Sequence, residues 1–173
     1  MLLLNLTKIR TAQDRIEQVY RADQFEVDED FRVVAPVSLA FDIFKDKQQF
    51  RLAGRVRTTL ELQCSRCLEA FTAPVDQAFD LRYHPHTVHT GESEREIEED
   101  DLTTAFYEND EIDLGDLMHE QFVLTLPMKP LCSDACRGLC SICGTNLNRG
   151  TCDCKPVWDD PRLAALRELR SKN

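Results

Sequence analysis

Eight cysteines in four short-spaced pairs constrain this 173-residue chain more than any other feature. They fall as Cys64-x2-Cys67, Cys132-x3-Cys136, Cys140-x2-Cys143 and Cys152-x-Cys154, with five of them inside the stretch CRGLCSICGTNLNRGTCDC. A C-x-x-C spacing lets one tight turn aim two thiolates at a single cation while the turn's N–H groups bond the sulfurs. A glycine after the second cysteine can take the left-handed conformation that completes the turn. Gly144 stands at that place after Cys143, whereas Cys67 is followed by Leu68. Four pairs suggest two tetrahedral, four-thiolate zinc sites. Cys140, Cys143, Cys152 and Cys154 form a set that is local in sequence. Cys64 and Cys67, in a turn between strands, would be joined from a distance by Cys132 and Cys136. Exchanging the Cys132/Cys136 and Cys152/Cys154 pairs satisfies the spacing equally well.

The N-terminal MLLLNLTKIR has only a short apolar run, with no basic segment before it and no small-residue cleavage site, so it makes a poor secretory leader. No stretch approaches the roughly 20 apolar residues of a membrane span. A soluble, cytoplasmic protein is therefore expected, in a compartment where paired cysteines bind metal or do redox work more often than they form disulfides. The net charge of −10 is unevenly distributed. Residues 92–120 hold thirteen Asp and Glu against the single Arg95, and the rest of the chain is slightly basic. Such a segment is expected to be a solvated, mobile loop, or else a contact for a basic partner.

Between 31 and 83 the apolar pattern has period two, the mark of strands with one buried face. Phe50, Leu52, Gly54, Val56, Thr58, Leu60, Leu62 and Cys64 share one face of a long strand, and Arg51, Arg55 and Arg57 share the other. Val37, Leu39, Phe41 and Ile43 mark a preceding strand, joined to it through the hairpin connection FKDKQQF, and Val75, Phe79, Leu81 and Tyr83 mark a following one. Residues 11–25 give no firm assignment. With a short strand at 2–6 the pattern predicts an antiparallel, curled or barrel-like sheet. Asp113 is a candidate N-cap, followed by Leu114, Leu117, Met118 and Phe122 at helical spacing until Pro127. A second helix is expected from Asp160 and Pro161 through Leu163, Leu166 and Leu169. The expected class is α+β: a sheet domain over 1–83, an acidic loop over 84–111, a helix packed on the sheet over 112–130, and a cysteine-rich zinc module with a C-terminal helix over 131–173.

A four-thiolate zinc has no open position for water, so it is a structural cross-link and not a Lewis acid. The rival reading is enzymatic, a thiol redox or metal-dependent nucleic-acid enzyme using the C-x-x-C pairs. A redox pair would want a helix N-terminus after a strand to lower one thiol's pKa, and Cys64 and Cys67 lie between two strand patterns. His84, His86 and His89 open the acidic segment and read as solvated; His119 reads as a helix-surface residue. No phosphate loop, nucleophile elbow or Ser/His/Asp set is recognisable. Arg51, Arg55 and Arg57, and the basic stretch from Lys129 onward, are where RNA contacts would be sought.

The blocks LQCSRCLEAFTAPV, EIDLGDLMHEQFVLTLPMKPLC, CRGLCSICGTNLNRGTCDC and DPRLAAL, in that order, resemble the successive signatures of the bacterial YceD family, named for large ribosomal RNA subunit accumulation. The resemblance runs from about residue 31 to 169. It implies a cytoplasmic protein with no catalytic activity, supporting the synthesis, processing or accumulation of large-subunit (23S) ribosomal RNA. Its partner would be a ribosomal RNA precursor or a large-subunit ribosomal protein, with no small-molecule substrate and no membrane. The family's first cysteine pair corresponds to Cys64 and Cys67, and its cysteine-rich tail to Cys132 through Cys154. The combined expectation is a non-enzymatic ribosome-biogenesis factor with two structural zinc ions per chain.

Overall fold

The computed structural model describes residues 2–86 and 104–154. Among these the chain is mostly strand, with one α-helix: β1 (Leu3–Asn5), β2 (Gln13–Tyr20), β3 (Phe31–Val33), β4 (Val37–Asp46), β5 (Gln49–Gln63), β6 (Ala70–Pro85), β7 (Thr104–Tyr107), β8 (Glu111–Asp113) and α1 (Leu114–Thr125). The predicted alternation holds along β4 and β5. Val37, Leu39, Phe41, Ile43, Phe50, Leu52, Val56, Leu60 and Leu62 are buried, while Arg51, Arg55 and Arg57 are exposed. Burial of these inward side chains fixes the register, because a one-residue slip would turn every one of them to water. β4 and β5 close through a two-residue turn at 47–48, and β5 and β6 stay paired from Phe50 opposite Tyr83 to Gln63 opposite Ala70.

The sheet is open rather than barrel-like. Its order is β2-β4-β5-β6-β7, and β3 pairs β5 beside this path. β2, in the stretch with no firm sequence assignment, lies antiparallel to β4. The strand expected at 2–6 does not join this sheet: β1 pairs β8 in a separate two-stranded sheet. The sheet is also not wholly antiparallel, since β7 runs parallel to β6.

The acidic stretch expected to run as a loop over 84–111 is strand at both ends, with His84 and Pro85 in β6, and with β7 and the first residue of β8 at its C-terminal side. The remainder of that expectation, residues 87–103 with His89, and the helix expected from Asp160, lie outside the described residues. β7 is drawn into structure by Tyr107, whose ring meets Phe50 edge-on at 5.6 Å and whose hydroxyl donates to the carbonyl of Gln48 at 2.9 Å.

The helix starts where its cap predicts. The Asp113 carboxylate accepts from the N–H groups of Gly115 at 2.7 Å and Asp116 at 3.3 Å. Leu114, Leu117, Met118 and Phe122 are buried in the same core as the inner face of β4–β6. Phe122 meets Phe25 at 6.0 Å and Phe31 at 5.9 Å, so α1 is held by aromatic side chains from the segment between β2 and β4. With one helix on a dominant sheet, the α+β label fits the described residues loosely.

Candidate metal centres

The hairpin of β5 and β6 ends in a C-x-x-C turn. The Cys64 N–H donates to Glu69 O at 2.9 Å, the Leu68 N–H donates back to Cys64 O at 2.9 Å, and Leu68 itself is left-handed at φ 59°. The same turn recurs in the tail. The Cys140 N–H donates to Thr145 O at 2.9 Å, the Gly144 N–H to Cys140 O at 2.9 Å, and Gly144 has φ 71°.

The tail folds back onto the first turn through backbone and arginine contacts. Ser65 N–H donates to Pro130 O at 2.8 Å and Leu139 N–H to Arg66 O at 3.0 Å. The Arg66 guanidinium reaches the carbonyls of Asp134 at 3.2 Å and Cys136 at 2.9 Å. Gly138, at φ 72°, allows this approach, since a Cβ there would stand 2.9 Å from Arg66 O. These bonds bring Cys132 and Cys136 to Cys64 and Cys67, a separation of more than sixty residues along the chain.

The described cysteines form two tetrads, Cys64/Cys67/Cys132/Cys136 and Cys140/Cys143/Cys152/Cys154, with the four sulfurs of each within 4.8 Å of one another. The exchanged pairing that spacing permits is therefore not the one the fold makes. In the first tetrad Cys64 Sγ lies 3.8 Å from Cys136 Sγ, and Cys67 Sγ lies 3.7 Å from Cys132 Sγ. A tetrahedron built on Zn–S bonds of ~2.3 Å has edges of about 3.8 Å, so the spacing and the soft donor set both suit a four-thiolate ion. Cys64, Cys67 and Cys136 are buried and Cys132 is exposed, while the second tetrad lies nearer the surface.

Sulfurs this close cannot all ionise independently, and each tetrad divides. Burial acts to raise the Cys64 thiol, but N–H groups of Cys132, Cys67 and Arg66 outweigh it and bring it down to about 6. Its neighbour Cys132 is pushed up to about 12, first by its hydrogen bond with Cys136 and then by burial. In the second tetrad the Thr145 hydroxyl and N–H draw Cys143 down to about 6, and hydrogen bonding to Cys143 pushes Cys154 up to about 12. A dication held at the centre of a tetrad would reconcile the four by favouring the thiolate at every sulfur.

Spacing singles out the eight cysteines of the two tetrads but not what holds them together. Asn148 donates from Nδ2 to Cys136 Sγ at 3.2 Å and accepts the Arg137 N–H at 2.7 Å. Arg149 pairs with Glu69 at 2.8 Å, tying the tail to the hairpin a second time. Isolated Asn and Arg residues in a loop carry no spacing signal, so only the fold reveals them.

The arginine stripe sits on the outer face as expected, but it is not free. Arg51 Nε donates to Asp80 at 2.7 Å, and Arg55 and Arg57 share Asp76 at 2.9 and 3.2 Å. At one end of this face Phe44, Arg51 and Arg82 stand opposite one another across three strands. They border a cleft of about 220 Å³ that also takes in Lys45 and His84. The Arg51 guanidinium lies 5.9 Å from the centre of the Phe44 ring. His84 lies near the end of β6 and His86 just beyond it, where it faces Glu108 at 3.7 Å. Neither belongs to a cysteine tetrad, and His119 Nε2 lies 2.7 Å from an Asp28 oxygen.

A family model described as "Large ribosomal RNA subunit accumulation protein YceD" matches residues 52–170. The chain is 28% identical over 158 residues to the chloroplastic large ribosomal RNA subunit accumulation protein YCED homolog 1 of Arabidopsis thaliana, covering 79% of this chain and 49% of that protein. The homologue of the same name from Zea mays is 28% identical over 152 residues, covering 70% and 49%. An uncharacterized protein of Mycobacterium leprae is 30% identical over 117 residues, covering 65% and 50%. The chain thus spans about half the length of the curated relatives it matches. No solved structure matches it.

Proposed function

The chain belongs to the YceD family of large ribosomal RNA subunit accumulation proteins, and from that membership we propose a cytoplasmic, non-enzymatic factor that binds a large-subunit ribosomal RNA precursor. A zinc ion held by Cys64, Cys67, Cys132 and Cys136 cross-links the tail to the β5–β6 hairpin, a second held by Cys140, Cys143, Cys152 and Cys154 closes the tail on itself, and together they fix the shape of the surface the RNA meets. The observation that carries the structural role for zinc is the completeness of each donor set. Four sulfurs close on one centre, and a four-thiolate ion offers no open coordination position for substrate. The same burial and crowding argue against the redox reading, because Cys64 and Cys67 are each enclosed with two further sulfurs rather than presented at a helix N-terminus.

The outer face of the sheet supplies the contact. Arg51, Arg55, Arg57 and Arg82 lie in rows on β5 and β6, and Phe44 adds an aromatic surface at one end. Cationic rows track phosphates, and an aromatic ring accepts a stacked base, which suits single-stranded rather than duplex RNA. The carboxylates of Asp76 and Asp80 orient the guanidinium groups without burying them, since the three stripe arginines keep about half or more of their side-chain surface exposed.

Binding of the full chain to single-stranded segments of precursor large-subunit ribosomal RNA, measured across a salt series, tests this. Arg55→Glu with Arg57→Glu should weaken binding at least tenfold and flatten the salt dependence by about 0.7 for each phosphate no longer engaged, with the fold intact. Unchanged affinity and slope would remove RNA from this face. Capture of a basic large-subunit ribosomal protein instead, with no RNA, would transfer the function to the acidic residues 92–120.

A further inference from the structure

Asn148 belongs in sequence to the loop between two ligands of the local tetrad, Cys143 and Cys152, yet its side chain serves the other tetrad. Its amide nitrogen donates to Cys136 Sγ at 3.2 Å, and its amide oxygen receives the N–H of Arg137, next to that cysteine, at 2.7 Å. The side chain is itself held in place. The Asn148 N–H donates to Asn146 Oδ1 at 2.9 Å, the Leu147 N–H to Gly138 O at 2.9 Å, and Leu139 bridges to Asn146. The loop that carries Asn148 thus acts as an outer wall of the hairpin site.

Resting on the zinc reading above, we infer that the two metal sites are coupled through Asn148. Filling Cys140/Cys143/Cys152/Cys154 pins both ends of the loop, presents Asn148 to Cys136 and so raises the affinity of Cys64/Cys67/Cys132/Cys136, and the local site loads first because it closes a far shorter stretch of chain. The physical basis is ordinary. Closing a short loop removes conformational freedom that would otherwise be lost when Asn148 docks. A donor aimed at a ligating sulfur stabilises the thiolate that the metal requires, and outer-shell bonds of this kind are typically worth 10–100-fold in metal affinity. Coupling is reciprocal, so the local site also gains from occupancy of the hairpin site by the same factor. The outcome is an ordered assembly: the tail module forms on its own metal and then clamps the sheet.

The test uses the full chain, stripped of metal under reducing conditions and titrated with cadmium, whose NMR signal separates the two thiolate sites, and with zinc against a competing chelator. In the native sequence the first equivalent should fill the local tetrad and the second the hairpin tetrad. Asn148→Ala keeps all eight ligands. It should leave the first equivalent unchanged and weaken the second by about 10–100-fold. Cys143→Ser with Cys152→Ser, which removes the local site, should weaken the hairpin site by a similar factor, and adding Asn148→Ala to that variant should then cost little more. An unchanged second equivalent in Asn148→Ala would overturn the coupling, as would an equally large effect of that substitution with and without the local site. A native chain that binds two ions independently refutes the coupling alone, whereas one that binds none refutes the metal reading on which it stands.

Discussion

Leu68 and Gly144 hold the same left-handed position in two copies of one turn, at φ 59° and 71°, each with its N–H bonded to the carbonyl of the first cysteine at 2.9 Å. Gly144 takes this conformation freely, while Leu68 takes it against the clash of its own Cβ. The Leu68 side chain is 56% exposed, so little packing offsets the strain. Leu68→Gly is therefore expected to stabilise the metal-loaded protein by about 1 kcal/mol, after allowing for glycine's greater freedom in the unfolded chain. A higher urea midpoint at unchanged slope is the readout; a lower midpoint would mean that the Leu68 side chain makes a stabilising contact.

Gly54 is the one position on the inner face of β5 where a side chain is excluded by backbone. It lies in register with Phe41 and Phe79, whose rings approach to 6.4 Å. A Cβ there would fall 2.3 Å from both Ala40 O and Phe41 Cβ. Gly54→Ala must push β4 away from β5 and should destabilise by about 1–3 kcal/mol, read as a drop in thermal midpoint.

Asp113 joins two structures, as the last residue of β8 and the cap of α1. Asp113→Ala leaves the Gly115 and Asp116 N–H groups without their acceptor and should cost about 1 kcal/mol. Asp113→Asn or Asp113→Ser should recover most of that loss, because either side chain can still accept. Helix fraying in the alanine variant, seen as faster amide exchange over the first turn of α1, is the local check.

Acid should release the metal from both tetrads. Cys132 and Cys154 are the sulfurs held highest, each pushed up to about 12 mainly by hydrogen bonds within its tetrad, so a cation binds by displacing protons from them. Affinity therefore rises with pH and falls as pH falls, and zinc uptake near neutrality should acidify a weakly buffered solution. Asp80 responds in the same direction but more weakly. The Arg51 hydrogen bond lowers its pKa, so the stability from that pair is present above the ordinary carboxylate range and is lost as pH drops through the depressed value. Because the pair is about half exposed, Asp80→Asn should change the acid limb of a stability-versus-pH curve only slightly. Metal release that is independent of pH would contradict thiolate ligation.

The sheet core was legible because it obeys a period of two over long stretches. Leu52 to Leu62 announces β5, and β4 and β6 follow by complementary alternation. The Asp113 cap was legible for a local reason, since a carboxylate before an apolar helical stripe needs no tertiary context. β2 was not legible. As an edge strand it exposes Val19 and keeps only Ile16 and Tyr20 partly covered, so neither face carries an apolar signal. β7 and β8 were hidden in acidic sequence, because their pairing is decided by Tyr107 and Ile112 entering a core built elsewhere. The grouping of the cysteines into short-spaced pairs could be read from the sequence, and the division of the pairs into tetrads was left open by it. That division is settled by Arg66, Gly138 and Asn148, whose contacts run across the fold.

The most direct test is the mass of the folded full chain, measured under native conditions with thiols reduced. Two zinc ions per chain, lost together with the compact charge-state distribution when a strong chelator is added, is the predicted result. A chain of the apoprotein's mass that keeps the same compact distribution in chelator would contradict it.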